Sequence, residues 1–176
     1  MIGTILNDGV RMPTLRIDSL QFATNTPYET RLTKDPGGGK RVMPSEVASA
    51  MREALSQVVD AGTARRLAGS FNLPDGTPLS MGGKTGTGDN RIEAIGSGGR
   101  ILSSKSVNRT ATFVFYIGES HFGTLTAYVP GRSAENFTFT SALPVQVLKG
   151  MAPILTQYLQ PGTHTMCQPS QVTAGR

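Results

Sequence analysis

One stretch of this chain sets a cation, two hydroxyls and closely spaced glycines side by side: Gly82-Gly83-Lys84-Thr85-Gly86-Thr87-Gly88. Such a set suits an anion. An ammonium, hydroxyls and backbone amides left accessible by small residues can hold a carboxylate or phosphate, or stabilise an oxyanion that forms during acyl transfer.

Two arrangements use these residue types. A phosphate-binding loop needs Gly, four residues, then Gly-Lys-Ser/Thr, with a helix directly behind. Here position 78 is Pro, and Gly86, Gly88, Asp89 and Asn90 follow the lysine, so a helix would break at once and nucleotide binding is rejected. The second is a Lys-Thr-Gly strand beside the nucleophile of a serine acyl transferase. Pro-Asp-Gly turn chemistry within Asn72 to Gly76 delivers the chain to Leu79, and a strand through Ser80 to Thr87 follows. On it Lys84 and Gly86 share one face, Thr85 and Thr87 the other, so the two hydroxyls could share one carboxylate. Gly86 lets an extended peptide approach as an added strand.

The elements around the motif read as follows. Met1 to Leu6 ends a short helix at Asn7-Asp8-Gly9. Leu15 to Phe22 and Tyr28 to Leu32 form a peripheral hairpin around Asn25-Thr26-Pro27, closed by Pro36-Gly37-Gly38-Gly39. Pro44 to Asp60 has Val47, Met51, Leu55, Val58 and Val59 at helical spacing. Thr63 to Ala68 adds a helical turn, and Pro-Asp-Gly turn chemistry follows. Gly88 to Ser106 has no period and reads as an exposed loop, with Asp89-Asn90-Arg91 shaping the site's mouth or merely forming a turn. Thr110 to Gly118 and Gly123 to Val129 alternate as an antiparallel hairpin. Ser141 to Leu159 carries the stripe Val145, Leu148, Ala152, Leu155 and Leu159, with Pro153 expected to kink or split the helix.

The order helix, Gly62-Thr63-Ala64, then Gly82-Gly83-Lys84-Thr85-Gly86-Thr87, with a hairpin and a terminal helix behind, resembles the transpeptidase domain of penicillin-binding proteins. It looks closest to the bifunctional type that also carries a glycosyltransferase domain. The resemblance implies an α+β chain, the C-terminal portion of the penicillin-binding and serine β-lactamase-like fold, with an antiparallel sheet flanked by helices. It covers residues 1–160 as a partial transpeptidase domain, and residues 161–176 are expected to form a disordered tail. By the same resemblance Lys84 assists proton transfer and Thr85, Gly86 and Thr87 bind substrate. The Thr87 amide completes the oxyanion hole, which makes Lys84 and Thr87 the catalytic candidates. The ligand is a peptidoglycan stem peptide or a β-lactam.

The same family places Ser-x-x-Lys, the nucleophile and its base, and then Ser-x-Asn upstream of Lys-Thr-Gly. No Ser-x-x-Lys occurs in this chain, while Ser70-Phe71-Asn72 and Ser106-Val107-Asn108 match Ser-x-Asn by letter but lie in the wrong places. The expectation is a chain that starts inside the domain, lacks the N-terminal part of that domain and is inactive alone. Its parent is expected on the periplasmic side of the cytoplasmic membrane, held by an anchor upstream. A non-catalytic module that binds peptide or β-lactam is the alternative.

Composition excludes other classes. The 176 residues suit one domain. A net charge of +5 keeps a nucleotide or nucleic-acid binder as a second rival, but the basic doublets Lys40-Arg41 and Arg65-Arg66 have no aromatic residues among them, so no nucleic-acid partner is expected. Cys167 is the only cysteine, and His121 and His164 lack spaced partners, so neither a metal nor another cofactor is expected.

Overall fold

In the computed structural model, which describes residues 1–14, 19–33 and 37–159, the chain divides into two compact units, Met1–Ala54 and Leu55–Arg176. Helix α2 (Ser45–Asp60) runs from one into the other. The start of the first expected strand at residues 15–18, the start of the glycine loop at Pro36 and the expected tail at 161–176 lie outside the described residues. Among the described residues no helix is long and apolar enough to cross a membrane.

In the first unit, α1 (Ile2–Leu6) ends where Gly9 takes φ +83° and returns its N–H to the Thr4 carbonyl at 2.8 Å. A side chain at Gly9 would lie 2.3 Å from the Met43 carbonyl oxygen, so only glycine fits between the bridging strands β1 (Val10–Arg11) and β4 (Lys40–Arg41). Strands β2 (Ser19–Phe22) and β3 (Thr30–Thr33) form the expected hairpin, with Leu20, Phe22 and Leu32 exposed. Its turn is held by the Glu29 carboxylate, which accepts from the Asn25 N–H at 2.9 Å and from the Gln21 amide.

Helix α2 matches the expected span, but its apolar stripe does not start where expected. Val47 is 46% exposed and Ala48 is fully buried, so the stripe enters one residue later and runs through Met51 and Leu55 to Val59. Beyond the helix, Ala64 returns its N–H to the Val58 carbonyl at 2.9 Å, and a side chain at Gly62 would lie 2.8 Å from Val58 Cα. A 3₁₀ turn, Arg65–Leu67, and a tight turn at Asp75-Gly76 lead to the sheet.

The second unit is built on a three-stranded antiparallel sheet in the order β5 (Met81–Ile95), β6 (Ile101–Ile117), β7 (His121–Pro130). Phe113 and Ile117 of β6 pack with Leu67, Phe71, Met81 and with Val145, Leu148 and Ala152 of α3 (Ala142–Leu155). This is the expected α+β class: helical segments on an antiparallel sheet. Helix α3 is not split at Pro153. The missing N–H falls in the last turn, where the chain only tightens into the 3₁₀ turn Thr156–Tyr158 and the Ala152 carbonyl is taken by the Thr156 hydroxyl at 2.8 Å.

The expected loop from Gly88 to Ser106 is a two-stranded ribbon. Strands β5 and β6 continue to Ile95 and Ile101 and are joined by a 3₁₀ turn at Ser97–Gly99, with Gly98 and Gly99 at φ +79° and +78°. Polar cross-strand bonds stand in for hydrophobic alternation: Asn90 Nδ2 to Asn108 Oδ1 at 2.8 Å, Arg91 Nε to Ser104 Oγ at 2.8 Å, and Ser104 Oγ to Glu93 Oε1 at 3.2 Å. No apolar face is needed there, so no period of two is written. Asp89, Asn90 and Arg91 are accordingly strand residues, not turn formers.

The hydrogen bonds from Asn25 N–H and then Gln21 hold the Glu29 carboxyl below the usual carboxylate range. Its contribution to hairpin order is therefore present above the unfolded-state pKa and lost as pH falls through the lowered folded value. An NMR pH titration of the Asn25 amide is expected to show that acid transition, and Glu29→Gln to abolish it. Within the sheet, a Cβ at Gly83 would lie 2.4 Å from the Val114 carbonyl oxygen and 2.7 Å from the Phe113 ring, whereas one at Gly86 meets nothing within 4 Å. In urea unfolding, Gly83→Ala is expected to lose roughly 1–3 kcal/mol and Gly86→Ala to stay within about 0.5 kcal/mol.

Candidate functional site

Strand β5 is presented as an edge. Its pairing with β6 runs Gly82↔Tyr116, Gly83↔Phe115, Lys84↔Val114, Thr85↔Phe113, Gly86↔Thr112 and Thr87↔Ala111. Among the described residues no strand pairs with the opposite edge of β5. The glycines of the motif divide by role. Those at 82 and 83 admit the aromatic rings of β6, since a Cβ at Gly82 would lie 2.5 Å from the Tyr116 ring, while Gly86 faces open space.

Partners across an antiparallel ladder share a face. Thr85 and Thr87 therefore lie on the face of Phe113 and Ala111, and Lys84 and Gly86 on the other, as the sequence alternation requires. The two hydroxyls do not meet a common partner. Thr85 is only 9% exposed, and its hydroxyl shares a 2.7 Å hydrogen bond with the Thr63 hydroxyl. Thr87 is exposed, and its Oγ1 accepts from the Ser141 N–H at 2.9 Å. Because that bond occupies an acceptor position, the Thr87 hydroxyl proton can point at an anion.

Lys84 is exposed, and its ammonium donates to the Thr85 carbonyl at 2.8 Å. In a strand the N–H and C=O of one residue point the same way, and so do those two positions on. The Thr87 N–H thus points to the side on which the Thr85 carbonyl carries the Lys84 charge.

The segment between β7 and α3 braces this end of β5. Arg109 Nε donates to the Phe139 carbonyl at 2.8 Å, and the guanidinium lies 5.6 Å from the Phe139 ring centroid. Two residues further on, Ser141 meets Thr87. Thr63 stands out in the sequence only as part of Gly62-Thr63-Ala64, and Ser141 carries no local sign of its place beside the motif. For Arg109 the signal was present, since it shares its parity on β6 with Ala111 and Phe113.

The two Ser-x-Asn look-alikes are structural. Phe71 is core, and Ser106 is buried with its hydroxyl on Asp89 Oδ1 at 3.3 Å and its N–H on Glu135 Oε1 at 3.3 Å. Among the described residues no group of three or more His, Cys, Asp or Glu is placed to hold a metal ion.

The arrangement is an edge strand that exposes an ammonium and a hydroxyl. Comparison with solved structures finds similarity to penicillin-binding protein 3 from Mycobacterium tuberculosis, complexed with aztreonam, at 22% identity and TM-score 0.48, over 89% of this chain and 34% of that one. A peptidoglycan synthetase from Bifidobacterium adolescentis is similar at 19% identity and TM-score 0.49, over 91% of this chain and 26% of that one. The TP domain of penicillin-binding protein 3 from Burkholderia pseudomallei is similar at 19% identity and TM-score 0.39, over 90% of this chain and 41% of that one. The chain thus corresponds to between about a quarter and two fifths of these structures. No family model matches the sequence, and no curated protein matches it.

The Thr63–Thr85 bond is open to a double-mutant cycle. Thr63→Val and Thr85→Val are each expected to cost about 1 kcal/mol in urea unfolding, since each leaves one hydroxyl without its partner. The double variant is expected to cost clearly less than the sum of the two. Strict additivity would mean that the bond does not hold the strand.

Proposed function

We propose that this chain supplies the Lys-Thr-Gly strand of a peptidoglycan D,D-transpeptidase that works through an acyl-serine intermediate. The observation that carries the reading is that the Lys84 ammonium sits on the Thr85 carbonyl, on the side to which the Thr87 N–H also points, on a strand with open space at Gly86 and, among the described residues, no second partner strand. An acyl-D-Ala-D-Ala peptide suits that edge. Extended, it can lie along β5 as an added strand, with Gly86 allowing the approach. Its terminal carboxylate is met by the Thr87 hydroxyl and by Thr85, once the latter turns from Thr63. When a serine attacks the penultimate carbonyl, negative charge gathers on the carbonyl oxygen. The Thr87 N–H is then the oxyanion donor, and Lys84 holds the local field positive and assists proton transfer. A β-lactam offers the same carboxylate and acyl group.

The nucleophile is not in this chain, which contains no Ser-x-x-Lys. The chain alone is therefore inactive in this reading, and residues 1–160 form part of a domain completed by an N-terminal portion. The parent works on the periplasmic side of the cytoplasmic membrane through an anchor outside this chain, and no cofactor takes part. The same absence of Ser-x-x-Lys favours one second reading, a module that holds peptide or β-lactam without turnover.

Translating in frame the DNA upstream of the Met1 codon separates the two. Ser-x-x-Lys followed by Ser-x-Asn is expected for the enzyme, whereas a stop codon close upstream would leave the binding module. Incubation of the chain itself with benzylpenicillin, read by intact mass, is expected to give no covalent adduct. An acylated serine would overturn the claim of inactivity.

A further inference from the structure

The ribbon formed by the outer halves of β5 and β6 has no part in the site described above, and its end is chemically distinctive. Ile95, Ile101 and Leu102 are 66%, 52% and 68% exposed beside one turn of glycines, and Ile92, 67% exposed, stands further back on the other face of the ribbon. Soluble surfaces carry scattered apolar residues, but a cluster of this kind marks a contact. Between positions 91 and 105 the only charged residues are Arg91, Glu93, Arg100 and Lys105. Arg91 is paired with Asp89 at 3.4 Å, and Glu93 accepts the Ser104 hydroxyl. Arg100 and Lys105 are exposed and, among the described residues, in no ion pair. The tip is therefore apolar with an unbalanced positive collar.

We propose that this tip docks on the surface of an anionic phospholipid bilayer. Aliphatic side chains flanked by Arg and Lys fit the boundary between acyl chains and acidic headgroups, where the chains are buried shallowly and the cations meet phosphate. The ladder from Arg91↔Ser106 to Ile95↔Ile101 satisfies the backbone between the strands. The outer edges of the ribbon still need water, which the headgroup zone supplies and the hydrocarbon centre does not. The size of the patch also favours lipid. Four side chains offer at most a few hundred Å², short of the roughly 800 Å² per partner that a stable protein complex buries. Nucleic acid is disfavoured because the ribbon between 91 and 105 contains no aromatic residue on which a base could stack.

The test is co-sedimentation of the full chain with vesicles of phosphatidylcholine alone and of phosphatidylcholine mixed with phosphatidylglycerol. Binding to the mixed vesicles is expected, and little to the neutral ones. The double variant Ile95→Ser, Leu102→Ser is expected to weaken it at least about tenfold. The charge variant Arg100→Glu, Lys105→Glu is expected to weaken it by a similar factor and to remove its dependence on anionic lipid. Both pairs lie at the tip, away from the core around Phe113, and unchanged circular dichroism serves as the folding control. No binding by the wild-type chain, equal binding to both vesicle types, or full binding by the variants would each overturn the proposal. So would vesicle-free self-association that disappears in the Ile95→Ser, Leu102→Ser chain, which would make the tip a contact between copies.

Discussion

Everything at the candidate site depends on how closely β5 lies against β6. Gly82 and Gly83 have no side chains because the rings of Tyr116 and Phe113 and the Val114 carbonyl fill that space. Tyr116 and Phe113 are themselves almost completely buried, so the strand rests on a surface that cannot yield. Once its first half is seated, the alternation of side chains is fixed. Thr85 must turn into the unit toward Thr63, and Lys84 must emerge on the opposite face. The motif is thus held rigid by aromatic packing just before Lys84, and the opening at Gly86 begins where that packing stops.

A second constraint acts from behind. Arg109 reaches from β6 to the carbonyl and ring of Phe139, and the following residues bring the Ser141 N–H to the Thr87 hydroxyl. The motif is held by β6 at one end and by the entry to α3 at the other, so hydroxyls that could rotate freely in an isolated strand have assigned roles. Thr87 accepts from the Ser141 N–H, which leaves its hydroxyl proton available to another acceptor. Thr85 is committed to Thr63, and any ligand bond it makes must compete with that one. The two threonines, equivalent by letter and by strand parity, are therefore unequal in their hydrogen bonding.

Much of this was legible in the sequence because the core writes its periods plainly. Phe113 and Ile117 alternate on β6, Val145, Leu148 and Ala152 recur at helical spacing on α3, and the Lys-Thr-Gly stretch fell on a strand. What was not legible had other physical origins. The ribbon from 88 to 106 is held by polar cross-strand bonds and backbone pairing, so no apolar alternation announced it. The stripe of α2 begins at Ala48, whose single methyl is a weaker apolar signal than the exposed Val47 beside it. The partners of Thr85 and Thr87, at positions 63 and 141, come from 22 and 54 residues away, and no local pattern encodes such distances.

The central claim is that the edge between Lys84 and Thr87 receives a peptide ending in D-Ala-D-Ala. The most direct measurement is an amide NMR titration of the chain with an N-acylated D-Ala-D-Ala peptide, repeated on Lys84→Ala. Saturable shifts centred on the Gly86 and Thr87 amides, weakened about tenfold or more by the substitution as expected for the loss of a charge-assisted contact, are what the account predicts. Shifts centred elsewhere, or shifts at Gly86 and Thr87 that Lys84→Ala leaves unchanged, would contradict it.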